Sequence, residues 1–114
     1  IAELKEIRKE FETNLFIPGS KEGMNVELDK AIRLYDFITM GELVAYDALN
    51  RNESCGGHFR EEYQTEEGEA KRDDENFFYV ACWEYQGDDE KAPVLYKEPL
   101  VYEAIKVQTR NYKS

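Results

Sequence analysis

The residues best suited to chemistry lie in two charged clusters joined by an acidic spacer. The first cluster is Ser-Cys-Gly-Gly-His-Phe-Arg-Glu-Glu-Tyr (54–63), and the second is Arg-Asp-Asp-Glu-Asn-Phe (72–77). His58 is the only histidine of the chain, and an imidazole that titrates near neutral pH can act as a general base. Arg60 and Arg72 stand beside carboxylates, with which guanidinium groups form strong forked hydrogen bonds. These residue types suit either proton transfer or an ordered ion-pair network.

Cys55 precedes His58 by three residues, which raises the alternative of a thiol enzyme with a Cys-His nucleophile. Catalytic pairs of this kind are usually assembled from distant segments, so we favour a structural histidine that holds a turn or an interface. Cys55 and Cys82 lack zinc-site spacing, and two reduced thiols are expected. The glycines and acidic runs also match no phosphate-loop or EF-hand pattern, so we predict no metal or cofactor site within the chain.

The two arginines leave two interpretations open. In one, Arg60 and Arg72 belong to an ion-pair network that clamps the acidic loop to a neighbouring domain or subunit. In the other, the charges form an ordinary solvated surface that contributes little energy.

Composition limits the classes of partner. The 114 residues are enough for about one domain with a modest core. A net charge of −10 argues against nucleic acid as a partner, because phosphate binding requires clustered Lys and Arg. No apolar run approaches the roughly 18 residues of a membrane span.

The spacing of apolar residues predicts two helices in the first half. Leu4, Ile7, Phe11 and Leu15 form one stripe over residues 2–16. Asn25 is the expected N-cap of a longer helix that reaches about residue 50. Its apolar stripe is broad enough for packing on two sides, and the sequence around Gly41 predicts a kink or a split.

The second half is predicted to be extended and acidic. Residues 64–76 form a charged surface loop, and the aromatic and β-branched residues of 77–85 indicate a strand. Residues 93–97 form a second strand that pairs with it as a hairpin, and an extended tail runs from Leu100 to Tyr112.

We therefore predict a mainly α fold: a truncated antiparallel helical bundle of the three-helix, spectrin-like kind, followed by a β-hairpin and an extended tail. Residues 1–52 form the helical segment, and residues 53–114 form the rest of the same domain. The chain begins at Ile1 inside a helical pattern, so we expect a piece of a longer protein, with the third helix upstream or supplied by a partner. The uncovered apolar face should favour self-association.

The two clusters resemble the C-terminal region of the flavoprotein subunit of succinate dehydrogenase and fumarate reductase. The family pattern reads Ser-Arg-Gly-Ala-His-Tyr-Arg-Glu-Asp-Tyr, a spacer, and Arg-Asp-Asp-Glu-Asn-Trp. This chain departs from the family pattern by a longer spacer and at five positions, Cys55, Gly57, Phe59, Glu62 and Phe77. With these departures it resembles the branch of the family whose members pair with a single large cytochrome b subunit. The matching residues are Ser54, Gly56, His58, Arg60, Glu61, Tyr63, Arg72, Asp73, Asp74, Glu75 and Asn76.

The resemblance implies a quinone-linked enzyme of electron transport and the tricarboxylic acid cycle that interconverts succinate and fumarate on a covalently attached FAD. In that family the flavin domain and the catalytic residues lie upstream, so the chain alone is expected to be inactive. The implied partners are the flavin domain, the iron-sulfur subunit and, indirectly, the cytochrome b anchor, on the cytoplasmic face of a bacterial inner membrane. The residues expected at this interface are Ser54, Gly56, His58, Arg60, Glu61, Arg72, Asp73 and Asp74.

The alternative is a freestanding acidic interaction module, in which the helical stripe docks a partner and the acidic segment recognises a basic surface.

Overall fold

The chain divides into two compact units, Ile1–Asn50 and Arg51–Ser114. The structure is a computed structural model that describes residues 1–108. The two predicted helices and the hairpin are confirmed in their predicted order, which makes the fold a mixture of helices and one small sheet. The three-helix bundle and the division at residue 52 stay predictions. The elements are α1 (Ala2–Asn14), α2 (Val26–Asn50), α3 (Asp74–Phe77), β1 (Tyr79–Glu84) and β2 (Val94–Pro99).

The first unit is an antiparallel pair of helices. Near the start of α1, Leu4 lies against Gly41, and near its end the rings of Phe11 and Tyr35 are 5.7 Å apart. The start of α1 therefore contacts the later part of α2, and the end of α1 contacts an earlier part, as in an antiparallel pair. Ile38, at 5% exposure, is the most deeply buried apolar residue between these ends.

α2 begins at the predicted cap and does not split. The Asn25 side-chain oxygen accepts hydrogen bonds from the backbone N–H groups of Glu27 and Leu28, both at 3.1 Å. The helix then continues through Gly41, so the predicted split is wrong. A Cβ atom at Gly41 would lie 3.9 Å from the Leu4 side chain, which is ordinary van der Waals contact, so α1 and α2 face each other at this position.

The face that α1 turns toward α2 differs from the predicted stripe. Ile7 is 48% exposed, whereas Arg8 is 8% exposed. The Arg8 guanidinium lies 2.7 Å from a carboxylate oxygen of Glu42 and also donates to the Thr39 hydroxyl at 3.4 Å. The apolar periodicity predicted that Ile7 faces α2. It does not register that Glu42 on α2 pairs with Arg8, so that Arg8 is buried and Ile7 is exposed.

Much of the apolar surface of α2 has no cover among the described residues. Phe37, Met40 and Val44 are each more than half exposed, and they lie at helical spacing along one side. An open groove of about 320 Å³ also lies between the helices, lined by apolar side chains that include Phe11, Leu28 and Ile32, with Asp36 at its edge. Neither α1 nor α2 has the length and apolar character needed to cross a membrane, and this holds for every helix within residues 1–108.

The β-hairpin is the main regular secondary structure of the second unit. β1 and β2 pair antiparallel, with Tyr79 opposite Pro99 and Glu84 opposite Val94. A short helix, α3, precedes β1 where the sequence predicted the end of a loop and the start of the strand, so the predicted strand begins two residues too early. After β2, residues 100–108 form neither helix nor strand, and the predicted tail beyond residue 108 lies outside the described residues.

Replacing Glu42 by Ala should destabilise the helical unit strongly, because it leaves the buried Arg8 guanidinium without its carboxylate. We expect a loss of about 3 kcal/mol in the free energy of unfolding, measured by urea denaturation with far-ultraviolet circular dichroism. Asp29→Ala is the control, since it breaks an exposed pair with Arg33 and should cost less than about 0.5 kcal/mol. Equal losses in the two variants would contradict the importance of the buried pair.

Candidate functional site

A buried carboxylate lies at the centre of the two charged clusters. Glu53 is 2% exposed, and one of its oxygens lies 2.6 Å from the Arg51 guanidinium. Its other oxygen accepts the backbone N–H of Asp73 at 2.9 Å. Glu53 therefore joins the first cluster to the second across 20 residues of sequence.

Arg51 connects the same carboxylate to the hairpin. Its two terminal nitrogens donate to the carbonyls of Phe77 at 3.3 Å and Tyr79 at 3.4 Å. The guanidinium carbon also lies 5.8 Å and 5.4 Å from the ring centres of the same two residues, within the range of cation–π attraction. Residue types alone did not single out Arg51 or Glu53. The available signal was their position, directly between the helical pattern and the first cluster.

The predicted glycine turn is present and orients His58. The backbone groups of Cys55 and His58 exchange two hydrogen bonds, at 2.8 and 3.1 Å, around a two-residue turn. Gly56 adopts φ +58°, which residues with side chains rarely tolerate. The Nε2 atom of His58 lies 3.0 Å from the Arg51 carbonyl oxygen. Among residues 1–108, the side chains of Cys55 and His58 share no hydrogen bond, so the structure does not show the bonded Cys-His pair of a thiol enzyme.

Ser54 fixes the backbone on both sides of this turn. Its side chain is completely buried, and its hydroxyl oxygen accepts the Arg60 N–H at 2.9 Å. The hydroxyl also donates to the Arg60 carbonyl at 3.2 Å, while the Ser54 N–H donates to the Lys71 carbonyl at 2.9 Å. A single small hydroxyl thus binds both backbone groups of Arg60, whose carbonyl also accepts the Tyr63 N–H at 3.0 Å.

The Arg60 guanidinium is engaged by neighbours in its own unit. It donates to the Asn52 side chain at 2.8 Å and to Glu62 at 3.0 Å, and it lies 5.1 Å from the ring centre of Tyr63. The hydrogen bond from Arg60 holds the pKa of the Glu62 carboxyl below its usual value. Glu61, by contrast, is exposed, and its carbonyl accepts from Gln64.

In the second cluster, Arg72 pairs with Asp74 and also donates to the Gln108 carbonyl at 3.3 Å. Asp73 is the N-cap of α3, because its carboxylate accepts the Asn76 N–H at 3.2 Å. Asp73 is therefore linked to Glu53, whereas Arg72 and Asp74 pair with each other beside Gln108 of the tail.

Most of the predicted site residues are thus held by contacts within the second unit. His58 and the Arg60 guanidinium both bond to the Arg51 carbonyl, and Ser54 bonds to the Arg60 backbone. Asp73 is joined to Arg51 through Glu53. Within residues 1–108, no group of three or more His, Cys, Asp or Glu side chains is placed to hold a metal ion. In this arrangement the charged motif organises the protein's own backbone.

Fold and site together define a small domain of helices and one hairpin, whose signature motif is an internal polar network. The family of fumarate reductase flavoprotein C-terminal domains matches residues 1–112. The chain belongs to this family, as the motif resemblance predicted. Searches of curated proteins and of solved structures gave no significant match. The family match gives no support to a freestanding interaction module.

Replacing Ser54 by Ala should destabilise the second unit by about 1–3 kcal/mol, because it removes the two hydrogen bonds that the buried hydroxyl makes to the Arg60 backbone. Trp83, the only tryptophan, lies in β1, so its fluorescence during urea denaturation reports on this unit. Ser20→Ala is the matched control, since that hydroxyl accepts one hydrogen bond on an exposed loop of the other unit. A Ser54 variant as stable as the Ser20 variant would show that the buried hydroxyl is dispensable.

Proposed function

We propose that this chain is the C-terminal helical domain of a quinone-linked succinate dehydrogenase or fumarate reductase flavoprotein subunit. Its role is to pack on the flavin domain of the same polypeptide and on the iron-sulfur subunit. The observation that carries the proposal is the family match over residues 1–112, nearly the whole chain. The two linked clusters lie within the matched residues and carry the motif that resembles the family.

The internal network suggests how the motif serves this role. His58, Arg60, Arg72 and Asp73 are all held by hydrogen bonds within the second unit. A surface whose side chains are already fixed loses little conformational entropy when a partner docks. Those four residues form the proposed contact with the flavin domain and the iron-sulfur subunit.

The proposal places no flavin site among the residues of this chain. The guanidinium groups of Arg51 and Arg60 are engaged by Glu53 and Asn52, and the groove of the first unit is lined almost entirely by apolar side chains. In the proposal FAD is bound covalently upstream, where it supplies the redox chemistry, and the isolated chain has no succinate or fumarate activity. The complete subunit sits on the cytoplasmic face of a bacterial inner membrane, linked indirectly to a cytochrome b anchor.

The first unit fits the same proposal. The exposed side chains of Phe37, Met40 and Val44 give α2 a second apolar face beside the one that contacts α1. A third antiparallel helix on that face would complete a three-helix bundle.

Expression of the complete reading frame that contains this segment tests the proposal. We expect a yellow protein whose flavin absorbance remains with the polypeptide after acid denaturation and which oxidises succinate with an artificial acceptor. The 114-residue chain, purified in the same way, is the control and should be colourless and inactive. A complete protein that carries no flavin would overturn the proposal.

A further inference from the structure

One face of the β-hairpin, called here the open hairpin face, is exposed along its whole length. Side chains alternate between the two faces of a sheet, and the register of the strands brings six exposed residues to this face. They are Val80, Cys82 and Glu84 of β1, and Val94, Tyr96 and Glu98 of β2. The opposite face carries half-buried residues such as Ala81 and Leu95. The second unit therefore covers only one of the two faces of its sheet.

An apolar band crosses the open hairpin face diagonally. It runs from Val80, which is 50% exposed, to Val94, which is 41% exposed. Between them, Tyr96 is 55% exposed and lies opposite the exposed Cys82. The band offers apolar surface that a partner can remove from water.

The two remaining corners of the face carry carboxylates. Glu84 lies at one end and is fixed by the Tyr96 hydroxyl, which donates to it at 3.1 Å, and Glu98 lies at the other end. Within residues 1–108 neither carboxylate forms an ion pair. Lys97, the cation of β2, packs over the Tyr79 ring of the opposite face at 4.5 Å. From the strand spacings, the two carboxylates stand about 14 Å apart.

This charge pattern determines what can cover the open hairpin face. A second copy would bring two further carboxylates and no cation, so each carboxylate would lose water without gaining a counter-charge. Anionic lipid surfaces and nucleic acids are repelled, and the net charge of −10 adds to that repulsion. A protein segment with Lys or Arg on both sides of an apolar residue supplies the missing cations and covers the band.

We infer that the open hairpin face binds a segment of a partner protein in which an apolar residue lies between two Lys or Arg that reach Glu84 and Glu98. The inference goes beyond the proposed function, because it uses the hairpin alone and none of the motif residues.

Titration of the 114-residue chain with capped pentapeptides at low salt tests the inference. In an extended Lys-Thr-Val-Thr-Lys peptide, both lysines and the valine share one face, and the lysines are about 14 Å apart. We expect saturable shifts of the amide resonances of residues 80–84 and 94–98, and slower alkylation of Cys82 by iodoacetamide. Glu-Thr-Val-Thr-Glu is the control peptide and should change neither. The absence of a saturable change at the hairpin, or equal effects of the two peptides, would overturn the inference.

A charge variant shows whether the peptide binds at this face. Glu98→Gln should weaken binding of the lysine peptide about threefold, as expected for the loss of one partly exposed ion pair. Glu66→Gln is the matched control, since it removes the same charge from an exposed loop outside the hairpin, and it should leave the affinity unchanged. Equal weakening by the two variants would show that only the net charge of the chain attracts the peptide, which would contradict a docking face.

Discussion

The second unit depends on one buried carboxylate. Glu53 receives the Arg51 guanidinium on one oxygen and the Asp73 backbone on the other, and Arg51 in turn holds the start of the hairpin. Removing either partner of a buried pair leaves an uncompensated charge, which is far more costly than losing a surface pair. Both clusters, the glycine turn and β1 are therefore positioned by this pair.

The first unit is also held by an Arg–Glu salt bridge, but with fewer hydrogen bonds around it. Arg8 and Glu42 form a partly buried pair between α1 and α2, and Ile38 is the buried apolar residue beside them. With so little apolar burial among the described residues, directional polar contacts specify which faces of the helices meet. The apolar side chains left on the surface of α2 are the parts of the fold that a larger assembly would cover.

Local rules predicted the elements of the fold well. The Asn25 cap, the limits of α2 and the hairpin follow from side-chain chemistry and periodicity that operate within a few residues. The roles of Arg8 and Glu53 could not be predicted in this way, because each depends on a partner at least 20 residues away. Sequence similarity singled out the motif residues, whereas only the structure showed the hydrogen bonds that His58, Arg60 and Asp73 make within the second unit.

A double-mutant cycle on Arg51 and Glu53 tests most directly whether this pair holds the second unit together. Arg51→Met, Glu53→Gln and the double variant would be unfolded in urea, with the fluorescence of Trp83 as the reporter. A coupling free energy of about 2 kcal/mol or more is the result this account predicts, because each single variant leaves the remaining charge of the pair without its counter-charge. A coupling below about 0.5 kcal/mol, as for an exposed ion pair, would contradict it.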